Sequence, residues 1–137
     1  MGYLIKAIPT EIVTAKVTLT SANLLTPGYI YKIPEYPKVA GYFWNVLYMN
    51  GEIVNGTTPY TGSSGIHIQS SNALTPQLRF TGIYMNNLPG IWSYASVGGG
   101  SGTAYSPNDE LEIHNPGTLT LGDTELNIYI GANLIQY

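Results

Sequence analysis

No cysteine occurs among the 137 residues, which removes disulfides, thiolate metal sites and a cysteine nucleophile together. Charge is almost as scarce: 9% of residues are Asp, Glu, Lys or Arg, against roughly 25% in ordinary soluble domains. Five basic residues face eight acidic ones, a net charge of −3. The positive field that nucleic-acid binding requires is therefore missing, and polybasic adhesion to a membrane with it. No apolar run approaches the roughly 20 residues of a membrane-spanning helix. The first ten residues, broken by Lys6 and Pro9, do not read as a secretory signal.

What is present is an apolar fraction of 44%, too high for intrinsic disorder and enough for one domain with a real core. Tyrosine is abundant, 12 residues against 2 phenylalanines, so the surface is expected to be neutral and polar, with little like-charge repulsion to keep copies apart. Sixteen glycines and nine prolines interrupt nearly every window in which a helix could run. Strands fit the windows that remain. In residues 11–20, EIVTAKVTLT, Val13, Ala15, Val17 and Leu19 fall on one face and Thr14, Lys16, Thr18 and Thr20 on the other. Ser21–Leu25 suits one helical turn, with Ser21 as its cap and Pro27-Gly28 as its stop. Residues 39–49 form the longest apolar run, expected as a central strand buried on both faces. Asn50-Gly51 and Asn55-Gly56 read as tight turns. Further strands are expected over 29–33, 66–69, 78–84, 92–97, 111–114 and 124–130.

Short strands at this spacing describe an all-β chain, a single-domain antiparallel β-sandwich of jelly-roll type with about eight strands. It would occupy residues 11–137, with residues 1–10 as an N-terminal arm.

Chemical candidates are few. His67 and His114, the only histidines, sit opposite the apolar face of their strands and should point outward; no HExxH spacing exists. Glu110 and Glu112 share a strand face, but no calcium-loop pattern accompanies them, and nothing marks a facing acid pair for glycoside hydrolysis. Asp109 reads as the end of a turn. Gly98–Gly102 lacks the Lys-Ser/Thr of a phosphate loop, and Gly62-Ser63-Ser64-Gly65 lacks nucleophile-elbow spacing. Asn55-Gly56-Thr57 matches a glycosylation acceptor. No cofactor and no metal ligand set is expected.

Two stretches together carry a likeness. Residues 56–69, GTTPYTGSSGIHIQ, and 108–130, NDELEIHNPGTLTLGDTELNIYI, resemble in order and spacing the small virion proteins of tailed bacteriophages. In those proteins a G-T-x-Y-x-G turn precedes a strand, and a later strand leads through a Gly-Asp turn to a closing strand. The matching positions are Gly56, Thr57, Tyr60 and Gly62, then Asn108, Leu111, Ile113, Gly122, Asp123, Leu126, Ile128 and Tyr129. Residues 19–25, LTSANLL, resemble the family's opening. Pro59 is an extra residue in the first turn, and Pro34-Glu35-Tyr36-Pro37 replaces the family's corner.

The resemblance implies a jelly-roll-like, often trimeric protein in the virion, attached to the major capsid protein, a head fibre or the tail; it supplies no catalytic residues. On this reading the chain assembles with itself as a homotrimer and with other virion proteins through its neutral Tyr/Thr/Asn surface. Tyr3, Leu4, Ile5 and Ile8 form an apolar tetrad suited to a partner-binding arm. The competing reading is a carbohydrate-binding β-sandwich module, with Trp92, Tyr94 and Tyr105 as its aromatic platform.

Overall fold

The computed structural model describes residues 11–62, 65–73, 76–80 and 108–136, together with the backbone of 92–97. Within these lie eight strands: β1 (Val13–Leu19), β2 (Tyr29–Lys32), β3 (Tyr42–Val54), β4 (His67–Ser70), β5 (Leu78–Phe80), β6 (Trp92–Val97), β7 (Leu111–Asn115) and β8 (Glu125–Gln136). One helical turn, α1 (Ser21–Leu24), follows β1. All pairings are antiparallel, in the order β1-β8-β3-β6-β5-β4-β7-β2.

The ladder is folded over at β6. Its first half pairs with β3, Trp92 opposite Glu52 and Tyr94 opposite Asn50, and its second half pairs with β5, Ala95 opposite Phe80 and Val97 opposite Leu78. Two four-stranded layers result, β1-β8-β3-β6 and β5-β4-β7-β2, which is the jelly-roll winding of an antiparallel sandwich. Their inner faces supply one core: Leu19, Ile53 and Ile128 from the first layer, Ile68, Leu111 and Ile113 from the second, all fully buried.

The alternation read in β1 is present, with Ala15, Val17 and Leu19 buried between exposed Thr14, Lys16 and Thr18. Three local expectations are corrected. Thr20, not Ser21, caps α1: its Oγ1 accepts from Asn23 N, and Asn23 Oδ1 accepts from Thr20 N at 3.0 Å, a reciprocal capping box.

The second correction is that the run at 39–49 is not buried on both faces. Trp44 and Val46 point inward, then a bulge between Val46 and Tyr48 inserts Leu47 and shifts the phase. Leu47 and Tyr48 are both exposed, and Met49, Gly51 and Ile53 resume the inner face. Finally, Asn50-Gly51 is not a turn. β3 runs through it, pairing with β8 on one side and β6 on the other. The glycine answers to the opposite layer, because a Cβ there would stand 2.9 Å from the ring of Phe80.

Buried polar side chains complete the backbone pairing where strands run out. β6 covers β3 only at residues 50–52, and beyond it the Gln77 amide acts as a piece of strand. Its Oε1 accepts from Val46 N and its Nε2 donates to Trp44 O, both at 2.9 Å. Asn115, fully buried, donates to the carbonyls of Asn23, Leu24 and Thr26 at the end of α1. Tyr36 OH reaches Val13 O at 2.8 Å and Ile130 O at 3.2 Å, tying the corner after β2 to both β1 and β8. Burial pushes this phenol far above its ordinary range.

Candidate functional site

The two stretches that carry the likeness meet in space. Asn55 and Gly56 turn the chain after β3 with positive φ, 50° and 101°, a conformation glycine adopts freely and asparagine tolerates. The Asp123 Oδ1 then accepts from Thr57 N at 2.9 Å and Thr58 N at 2.7 Å. Tyr60, buried, donates from its hydroxyl to Thr124 O at 2.5 Å, and its ring fills the space a side chain at 122 would need. A bridge between Thr61 and Thr120 closes the joint. Gly56, Thr57, Tyr60, Gly122 and Asp123 thus form one interlocked corner, a structural joint with no open reactive group.

The outer face of the β5-β4-β7-β2 layer gathers the ionisable groups. Register sets Ile30, His114, His67 and Arg79 in one row across four strands, and Lys32, Glu112 and Gln69 in the next. Both histidines do lie on the outer face, yet each is only half-exposed. Their rings stack with centroids 5.2 Å apart and an interplanar angle of 20°. His114 Nε2 stands 3.0 Å from Glu112 Oε1. Both nitrogens of His67 face oxygens, Gly65 O at 3.0 Å and Gln69 Oε1 at 2.9 Å, and the Gln69 amide is oriented by its donation to Ala73 O at 3.1 Å. Those contacts favour a protonated ring. Burial outweighs them, aided by the nearby His114 and Arg79, and holds the His67 pKa below its ordinary value.

Six of the eight carboxylates are held in structural bonds, Asp123 in the corner above and five more. Asp109, buried, accepts from Ser71 Oγ, from Asn72 N at 2.6 Å and from Glu110 N at 3.0 Å, fastening the turn after β4. Glu110 pairs with Lys32 at 3.0 Å, which raises the pKa of this exposed ammonium through the hydrogen bond and the charge. Glu112 pairs with His114, Glu125 accepts from Asn55 at 2.6 Å, and Glu52 accepts from Tyr129 at 3.1 Å. The Glu110 and Glu112 oxygens are committed to different strands' partners, so they do not converge. Among the described residues no group of three or more His, Cys, Asp or Glu is placed to hold a metal ion.

The outer face of the β1-β8-β3-β6 layer is neutral and aromatic. One row runs Lys16, Tyr129, Asn50, and the next Thr18, Asn127, Glu52; by backbone register Tyr94 pairs with Asn50 and Trp92 with Glu52. The side chains of Trp92 and Tyr94 lie outside the described residues, as do Tyr105 and the arm residues Tyr3, Leu4, Ile5 and Ile8. What sequence reading missed on this face is Tyr48, whose position depends on the bulge at Leu47. Its partner across the ladder, Gly131, is set by register, so the sequence holds no local signal for the contact. Neither a protein-family model, nor a curated protein, nor a solved structure matches the chain.

Proposed function

We propose that this protein is a non-enzymatic structural component of a tailed-bacteriophage virion, a capsid decoration, head fibre or connector that assembles with itself and with a shell or tail protein. The observation that carries the reading is the disposition of the carboxylates: six of the eight, Glu52, Asp109, Glu110, Glu112, Asp123 and Glu125, are engaged in bonds that hold turns and strands together, and the other two, Glu11 and Glu35, lie apart on exposed segments. General acid–base work needs a carboxyl group aimed at a substrate. Jelly rolls serve both viral shells and lectins, so the architecture alone does not choose between them. The resemblance to phage virion proteins favours the first, and its residues are the ones that interlock at the Tyr60–Gly122 joint.

Self-assembly is assigned to β1 and β2, the two ends of the ladder among the described residues. Ile12, just before β1, and Ile30, within β2, are exposed there, and edges of this kind accept another chain. The arm residues Tyr3, Leu4, Ile5 and Ile8 are assigned to the shell contact.

Multi-angle light scattering from micromolar to millimolar concentration tests the reading. Three protomers per particle are expected, and a monomer throughout the range overturns it. Removal of residues 1–10 should abolish attachment to the particle and leave the circular dichroism spectrum unchanged.

A further inference from the structure

The outer face of the β1-β8-β3-β6 layer is constructed around two tyrosines. At the bulge, β3 turns Leu47 and Tyr48 to the solvent side together, 45% and 38% exposed. The Tyr48 ring lies against the bare backbone of Gly131 in β8; any Cβ at that position would overlap it. On the neighbouring row Tyr129 is held from two sides. Its hydroxyl donates to Glu52 at 3.1 Å, and the Lys16 ammonium stands 5.7 Å from its ring centroid. Around the rings stand side-chain amides and hydroxyls already in mutual bonds, Thr18 to Asn127 at 2.7 Å and Asn45 to Asn133 at 3.3 Å.

We infer that this face, centred on Tyr48 with Tyr129 and Asn50 beside it, is a binding site for an uncharged glycan. The chemistry matches in three respects. Exposed aromatic rings set rigidly on a sheet receive the C–H face of a pyranose, an amphipathic contact made with little loss of conformational entropy. Amides and hydroxyls at the rim exchange hydrogen bonds with sugar hydroxyls and water on nearly equal terms. Lys16 and Glu52 neutralise each other about one ring, leaving no net charge to recruit a phosphate, sulfate or sialic acid. A second copy seated here would bury that cation and carboxylate and strip both of water, whereas a sugar leaves both at a wet rim. The inference goes beyond the virion assignment and stands or falls separately from it.

The test is an amide-resolved NMR titration of the full-length protein with cellobiose, maltose, lactose, mannobiose and N,N′-diacetylchitobiose at millimolar concentration. At least one disaccharide should shift the resonances of Tyr48, Asn50 and Gly131. Tyr48→Ala should weaken that binding about tenfold, while Tyr48→Phe stays within about twofold, because the ring rather than the hydroxyl makes the contact. The same spectra report whether each variant is folded; if Tyr48→Ala is not, saturation transfer from aromatic protons to the sugar in the wild-type protein replaces it, and its absence counts against the site. The inference is overturned if none of the five sugars shifts these resonances, if Tyr48→Ala binds as well as wild type, or if the shifts follow dilution of the protein alone. The last outcome would assign the face to a second copy. Failure here leaves the light-scattering result for the virion role untouched.

Discussion

At the scale of single residues, the joint at Tyr60 contains a defect that a substitution can expose. Thr124 is fully buried and its carbonyl accepts the Tyr60 hydroxyl, but its own Oγ1 has no hydrogen-bond partner among the described residues. A buried hydroxyl without a partner costs about 1–3 kcal/mol in desolvation. Valine has nearly the same shape, keeps the carbonyl and removes the polar atom. Thr124→Val is therefore expected to stabilise the fold by about 1 kcal/mol, raising the melting temperature by a few degrees. The opposite case is Gln77, whose side chain pairs with Val46 N and Trp44 O. Gln77→Leu leaves two buried backbone groups unpaired, and a loss of about 2–4 kcal/mol is expected by urea titration. Neither role could be read from the sequence, since Gln77 lies 31 residues from Val46 and nothing local marks it as a surrogate strand.

At the scale of elements, what was readable follows how local each cause is. β1 alternates over Val13–Leu19 and β8 from Glu125 to Ile130, so period two showed them directly; the alternation stops at Gly131, and the six further residues of β8 were not readable from it. β3 was harder because one extra residue, Leu47, changes its phase, and a turn-like dipeptide, Asn50-Gly51, sits mid-strand for the sake of Phe80 in the facing layer. The stacking of His67 on His114 is likewise set by register between β4 and β7, which alternation within one strand does not contain. That pairing makes a prediction about pH. Burial, with His114 and Arg79 nearby, lowers the His67 pKa in the folded protein, so near and below about pH 6.5, the ordinary histidine value, the unfolded chain binds the proton more readily. The stability that His67 contributes is complete above that value and is lost as pH falls from it toward the folded-state pKa. Melting temperature should fall between pH 7.5 and pH 5.5, and His67→Gln should flatten the slope. A wild-type profile without slope would remove this role from the histidine stack.

At the scale of the whole molecule, the ladder has two ends that differ in sequence and length, β1 with seven residues and β2 with four. A closed ring of three identical copies uses heterologous contacts, each protomer offering one surface to the next and receiving a different one. Two unlike edges are the natural pair for such a ring, and each carries an exposed isoleucine, Ile12 by β1 and Ile30 in β2. A two-fold dimer would use one edge twice and leave the other free. A lysine in place of either isoleucine puts a charge at the centre of an apolar contact, where it must be desolvated. In the ring, Ile12→Lys and Ile30→Lys should each release monomers by light scattering, and mixing the two variants should give an open dimer, through the one interface in which both edges are intact. If only one substitution disrupts assembly, the contact is isologous and the ring is wrong. Because the contact is apolar, raising salt from 50 mM to 500 mM should leave the assembly intact, whereas one held by surface ion pairs would weaken over that range.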